Sequence, residues 1–408
     1  MHACCIVAAL LAGPFAGPAE QSATADALPN ASDVATPPGG YRSEWIALQK
    51  TTINGPCLDG PAHLAVLGRP SLMAIYDPPG GQTARPPQRI VVAAGGRLGL
   101  IEAGRLTLLG SGKPGHRDGP AEQARLATGG AYSNLRGCAI TADAIYLKGQ
   151  ARIGRRTVNL LQRIYRRKSD GRWWVQTVAG LGTKILTRHR EQRPAGDLAL
   201  AVGGVAADTA GDVYCMATTG LVRIRGATAT MLCTTESARR AFYATEGVRE
   251  TQRFRFVGKL GVDRAGNVYG YGRTASPVLW RVGADGTYTP LAGYAEPPVK
   301  WADGKAAAAS FHCPMTSTVG DDGTVYIEDE GGGARKIVDG KTYSLARNGR
   351  WVQLATPDLG EKRKHVWRTP SGNAEIHAVD RRGNLYCTLD YGAVLRYVKL
   401  GADGKEAQ

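Results

Sequence analysis

Two kinds of side chain in this sequence could do chemistry: histidines and carboxylates able to hold a metal ion, and a run of arginines able to hold an anion. The histidines beyond the N-terminus are His63, His116, His189, His312, His365 and His377. Zinc takes three or four N, S or O ligands, and calcium takes six to eight oxygens. These imidazoles fall at no common spacing, so no zinc motif is formed. No cofactor is expected. A divalent site, calcium or zinc, would have to be built from Glu375 and His377 with help from elsewhere. The cationic run spans Gln150 to Arg172 and holds Arg152, Arg155, Arg156, Arg163, Arg166, Arg167, Lys168 and Arg172. Arg155, Arg156, Arg166 and Arg167 are the candidate ligands for a polyanion, because a guanidinium fork matches carboxylate, sulfate and phosphate oxygens. Tyr165, Trp173 and Trp174 within the run serve strand packing equally well. Neither a nucleophile elbow nor a phosphate-binding loop occurs.

The elements that must position these residues come from a repeat. Four segments align: Gly204–Tyr214, Leu260–Tyr269, Thr318–Tyr326 and Ala378–Tyr386. Each has an apolar strand, then Asp or Gly, then Gly three residues on, then Val or Leu followed by Tyr. Asp can bond to amides ahead of it and Gly supplies positive φ, so each segment predicts a hairpin. A third strand follows in Gly220–Ile224, Val278–Val282, Ala334–Ile337 and Val394–Tyr397. A fourth follows in Thr230–Cys233, Tyr288–Gly293 and Tyr343–Ala346. Fainter copies begin near Ser71 and at Gly137. The turn positions Asp208, Asp263, Gly320 and Asp380 recur at spacings of 55, 57 and 60 residues. Those exceed the ~40 to 50 residues of familiar blade repeats, so the loops are enlarged. Asp208, Asp263 and Asp380 read as turn residues and not as ligands, since their distance from Gly and Tyr is part of the repeat.

Four antiparallel strands per unit predict an all-β, six-bladed β-propeller. The last copy has three strands, and Trp45–Leu48 is an apolar run without partners of its own. That N-terminal strand is expected to complete the last blade and close the ring. An Asp-Gly anchor recurs between units, as Asp59-Gly60-Pro61-Ala62, Asp118-Gly119-Pro120-Ala121 and Asp303-Gly304-Lys305-Ala306. With Gly-rich strand ends before it and Gly-Val-Ala-Ala-Asp strands after it, this pattern resembles the NHL-repeat propellers and their gluconolactonase-like relatives. The resemblance covers roughly residues 45 to 400, most closely in the last four units.

The resemblance implies that a ligand meets the mouth of the central channel. Alignment of the repeats puts Arg136, Lys259, Arg273, Asp329, Glu375 and Asp390 there as the candidate binding ring. Gluconolactonase-like relatives hold a divalent cation at this mouth, and related lyases hold zinc through histidines. This chain offers only Glu375 among the carboxylates that open inner strands. The sequence therefore favours a non-catalytic binding or scaffold propeller that recognises a protein or glycan. A metal-dependent hydrolase, lactonase or lyase, and a polyanion binder using the basic ribbon, stand as the alternatives. NHL domains of the tripartite-motif proteins bind RNA through a basic face, but an exported chain meets little RNA, so no nucleic-acid partner is expected.

Export is read from Ala3–Gly17, an apolar run too short to span a bilayer. Cleavage after Ala19, Ala25 or Ala27 would suit a signal peptide, although Met1-His2 lacks the usual positive flank. The expected organisation is a signal peptide and leader at 1–27, a flexible linker at 28–42, the propeller at 43–402 and a tail at 403–408. The location is secreted or periplasmic, without a membrane span and without need of a dimer. Hydrophobic residues make up 43% of the 408 and charged residues 21%, which excludes a disordered chain. The formal net charge of +16 speaks to association with anions and says nothing of fold. Six cysteines would remain after cleavage, none closely spaced, and they read as mostly unpaired and structural.

Overall fold

The computed structural model describes residues 41–47, 60–61, 73–76, 89–94, 97–102, 105–128, 137–248, 254, 259–272, 277–294, 299–300, 304–311, 314–329, 333–347, 350–351, 374–380, 383–389 and 394–399. The predicted signal peptide, most of the predicted linker and the tail lie outside the described residues.

The chain is an all-β propeller. Successive side chains point to opposite faces of a sheet, and strands such as Arg97–Glu102 and Val213–Ala217 are buried on both, so consecutive units stack face to face around an axis. The first sheet runs outward through Met73–Tyr76, Arg89–Ala94, Arg97–Glu102 and Arg105–Leu109. The second runs through Gly137–Ile140, Ala144–Ile153, Arg156–Arg166 and Trp173–Ala179. The third comprises Leu200–Ala207, Val213–Ala217, Gly220–Arg225 and Thr228–Thr234, and the fourth comprises Leu260–Val262, Val268–Gly272, Val278–Val282 and Tyr288–Ala292. The fifth holds Pro314–Val319, Val325–Asp329, Gly333–Val338 and Lys341–Arg347. In the last, Ala374–Val379, Leu385–Leu389 and Val394–Lys399 are joined by Tyr41–Ala47, which pairs antiparallel to Val394–Lys399. First and last segments thus share one sheet, and the ring is tied through its termini. The innermost strands adjoin in chain order, and that of the last sheet adjoins that of the first.

The Asp-Gly anchors are clasps. Gly60–Pro61, Gly119–Pro120 and Gly304–Lys305 each form a short outer strand on the sheet that follows them. Gln192–Pro194 does the same for the third sheet without the Asp-Gly signature. The last three clasps also reach back to the preceding sheet. The Gly110 amide donates to the Ala121 carbonyl at 3.1 Å, and the Gly293 amide to the Ala306 carbonyl at 3.0 Å. The Gly180 amide donates to the Leu198 carbonyl at 3.1 Å. All three glycines have positive φ, between 79° and 103°. A helix, α1 (Thr235–Tyr243), is inserted after the third sheet; the Thr234 hydroxyl caps it by accepting from the Ser237 amide, and Phe242 is buried.

The interior follows the seams between sheets. Val91, Leu98, Leu100 and Leu126 meet Ile145, Leu147, Ile164 and Val175 between the first two sheets. Trp280, Val282 and Tyr288 meet Tyr214, Met216 and Phe242 further round. Cys138, Cys215 and Cys233 are free thiols, and burial pushes Cys138 up to about 12 and Cys233 up to about 11. They are packing residues held far from thiolate reactivity.

Candidate functional site

Each sheet presents two edges to solvent. One edge carries the starts of the inner strands and the loops between second and third strands. The opposite edge carries the first turns and the loops between third and fourth strands. A central channel of about 170 Å³ runs between them, lined by Gly137, Val205, Lys259 and Leu260 toward one end and by Asp208, Asp263 and Asp380 toward the other.

The three aspartates occupy identical turns. The Asp263 carboxylate accepts from the Asn267 amide at 2.9 Å, the Asn267 side chain at 2.8 Å and the Tyr269 hydroxyl at 2.9 Å. Asp380 accepts in the same way from Asn384, at 2.9 and 2.8 Å, and from Tyr386 at 3.1 Å. Asp208 accepts from the Ala210 and Asp212 amides and from the Tyr214 hydroxyl. The glycine between them has φ of +89°, +80° and +79° in turn, a conformation that a side chain would strain. Burial, and then the bond to Asp263, push Tyr269 up to about 12. In the fifth sheet Gly320 stands where the aspartate would be, and Asp322 takes over by accepting from Thr324. These carboxylates face the channel, yet their oxygens are committed to their own turns.

Of the predicted binding ring, Lys259 lies half-buried in the channel lining. Asp329 ends a second strand opposite Gly333, and Glu375 opens an inner strand opposite Thr388. Both backbone positions are at the mouth edge. Arg136, Arg273 and Asp390 lie outside the described residues. His377 falls at a break of register between Ile376 and Ala378, so it faces no partner in the ladder. Among the described residues no group of three His, Cys, Asp or Glu could hold a metal ion.

Lys148 lies midway along the second strand of the second sheet, opposite Gly137 at the start of the inner strand. It is buried, and its ammonium donates to the Met216 carbonyl of the third sheet at 2.9 Å. Burial lowers it to about 8, with Cys215 acting in the opposite sense. Only Gly fits beside it at 203, where a Cβ would come within 2.8 Å of the Met216 side chain.

The basic run does not form one ribbon surface. It is a long hairpin whose partners run from Arg156 opposite Ile153 to Tyr165 opposite Ala144. Ten residues separate Arg156 from Arg166, roughly 33 Å at strand rise. Arg152, Arg155 and Arg156 therefore stand at the mouth edge, and Arg163, Arg166, Arg167 and Arg172 at the opposite edge. The second group is matched by acids: Arg163 with Asp143 at 3.0 Å, Arg166 with Glu102 at 3.6 Å, Arg172 with Glu122 at 2.8 Å, and Arg167 with Asp170. Its guanidiniums also lie over rings, Arg163 on Tyr165, Arg166 on Trp173 and Arg167 on Trp174. Among the described residues no carboxylate lies within ion-pair distance of Arg155 or Arg156, and both are exposed.

No family model and no curated protein matches this chain. It is similar in structure to an auxiliary nutrient binding protein from Bacteroides thetaiotaomicron, at 11% identity and TM-score 0.49, over 88% of this chain and 76% of that one. A protein of unknown function from the same organism gives 17% and 0.48, over 87% and 75%. A putative oxidoreductase (glucose dehydrogenase) from Thermus thermophilus gives 14% and 0.42, over 88% and 100%. Likeness at this level carries no argument about activity, and the propeller assignment rests on the sheet topology.

Proposed function

We propose that the chain is an exported, six-bladed propeller of the NHL type that binds an acidic ligand, protein or glycan, at the mouth of its channel without transforming it. The blade count takes each sheet of four or more strands as one blade. One observation carries the reading: the arginines of the hairpin tip are exposed at the mouth edge with no carboxylate in ion-pair distance among the described residues, whereas those at the other edge are paired with acids. A cationic tip beside a mouth that also carries Lys259 raises the local concentration of anions and orients them. The commitment of Asp208, Asp263 and Asp380 to their turns removes the repeat's own carboxylates as ligands for a hard cation, which needs free oxygens.

The test pairs two measurements on purified mature protein. Retention on an immobilised sulfated glycan such as heparin is expected, weakening steeply between about 50 and 200 mM salt as screening grows. Elemental analysis after mild dialysis is expected to find no stoichiometric metal. About one equivalent of calcium, manganese or zinc would replace this reading with a lactonase-like hydrolase.

A further inference from the structure

A second cleft lies on the edge away from the mouth, in the seam between the first two sheets. Its volume is about 520 Å³, within the range that small-molecule sites occupy. Tyr76, Arg89 and Glu102 line it from the first sheet, and Asp143, Arg166 and Trp173 from the second.

The floor is fixed. Arg89 is nearly buried, crosses the seam, and donates to the Thr141 and Ala142 carbonyls at 2.6 Å each while lying over the Tyr76 ring at 4.8 Å. Its Nε is 3.8 Å from Glu102. Arg166 is the movable wall: it is 60% exposed, reaches Glu102 only at 3.6 Å, and covers the Trp173 ring at 5.1 Å. Asp143 is 69% exposed at the rim, one oxygen shared with Arg163 at 3.0 Å and the other accepting from the Thr141 hydroxyl at 2.9 Å, each with a lone pair left for a ligand.

Two features select the ligand class. The lining groups carry two guanidiniums and two carboxylates, so an ionic ligand gains no net attraction and a neutral one loses nothing. The polar groups come in pairs able to donate to and accept from vicinal hydroxyls, beside an indole whose electron-rich face attracts polarised C–H bonds. A neutral ligand with an apolar C–H face and a rim of hydroxyls is a pyranose.

We propose that this cleft is a subsite for one pyranose ring of a neutral saccharide. The sugar takes the place of the Arg166 guanidinium on Trp173. Arg166 then donates to the ring hydroxyls from above, and Asp143 accepts from them at the rim. The site is independent of the acidic-ligand site at the mouth.

The experiment is saturation-transfer NMR, followed by calorimetry, of the full mature chain with maltose, cellobiose, lactose and mannobiose. At least one is expected to bind in the millimolar range or tighter. Trp173→Ala, Arg166→Ala and Asp143→Ala are each expected to weaken it about tenfold or more, while the mouth double variant R155E/R156E leaves it unchanged. Trp173 touches the core, so the exposed positions 166 and 143 decide the matter should W173A fail to fold. No transfer to any of the four sugars, or binding insensitive to both exposed variants, overturns the proposal. Sugar binding lost only in R155E/R156E also overturns it and assigns saccharide to the mouth.

Discussion

The Lys148 ammonium reaches across a seam between sheets to the Met216 carbonyl at 2.9 Å, and it does so from a buried position. A charge there is costly, which is why burial lowers this lysine from 10.5 to about 8. Between those values the unfolded chain binds a proton that the folded chain does not, so this group makes stability rise with pH from about 8 to about 10.5. The thiols act oppositely: half-buried Cys138 and buried Cys233 are raised when folded, and the stability they contribute fades as pH climbs past 9. The comparison must therefore be with a variant. Lys148→Met is expected to be at least as stable as the parent at pH 7, with that advantage shrinking by up to about 3 kcal/mol by pH 10.5. Urea midpoints of both proteins across that range measure it; parallel curves would mean the lysine is not titrating in the seam.

Asp263 accepts three hydrogen bonds inside its turn. Replacing it with alanine removes the acceptor used by the Tyr269 hydroxyl and the Asn267 side chain, at a cost of roughly 2–4 kcal/mol. Retention on heparin is expected to survive once temperature is lowered enough to keep the variant folded. A variant of unchanged stability that loses retention would make Asp263 a ligand-binding residue instead.

Gly180 closes the clasp between the second and third sheets with φ +103°, and a Cβ there would stand 2.0 Å from the Asn159 carbonyl oxygen. Gly180→Ala is expected to lower the melting temperature by several degrees or to prevent folding, whereas Gly226→Ala, in an open turn with no neighbour within 4 Å, is expected to cost far less. Equal effects would show that backbone strain alone, not the clasp, sets the cost.

The turns and clasps were legible in the sequence because each rests on residues with special backbone chemistry. Asp, Gly and Tyr at fixed offsets can be read without knowing what packs on them, and the apolar run at Trp45 could be matched to a missing strand. The clasp at Gln192–Pro194 escaped notice because a three-residue pairing needs only backbone, and no Asp-Gly marks it. The burial of Lys148 was not legible either: repeat alignment puts it where other units leave their second strand for solvent, but this strand runs on to Ile153 and the ammonium turns to the neighbouring sheet's carbonyl. The arginine run was legible as composition but not as surface. A strand advances about 3.3 Å per residue, so residues adjacent in a list can end on opposite edges of a domain.

That division yields the sharpest test of the mouth. Arg155 and Arg156 stand near the turn of the hairpin, while Arg166 and Arg167 stand at its base beside Glu102 and Asp170. Ion pairing costs the second pair much of its pull on an outside anion, whereas the first pair meets no carboxylate among the described residues. The double variant R155E/R156E is expected to elute from heparin at markedly lower salt than the parent, and R166E/R167E to elute close to it. Both pairs change net charge equally, so a purely global attraction would shift the two variants alike. A larger shift for R166E/R167E would move the anion site to the edge away from the mouth. The ordering of the two elution positions, more than either value, decides which end of the hairpin meets the ligand.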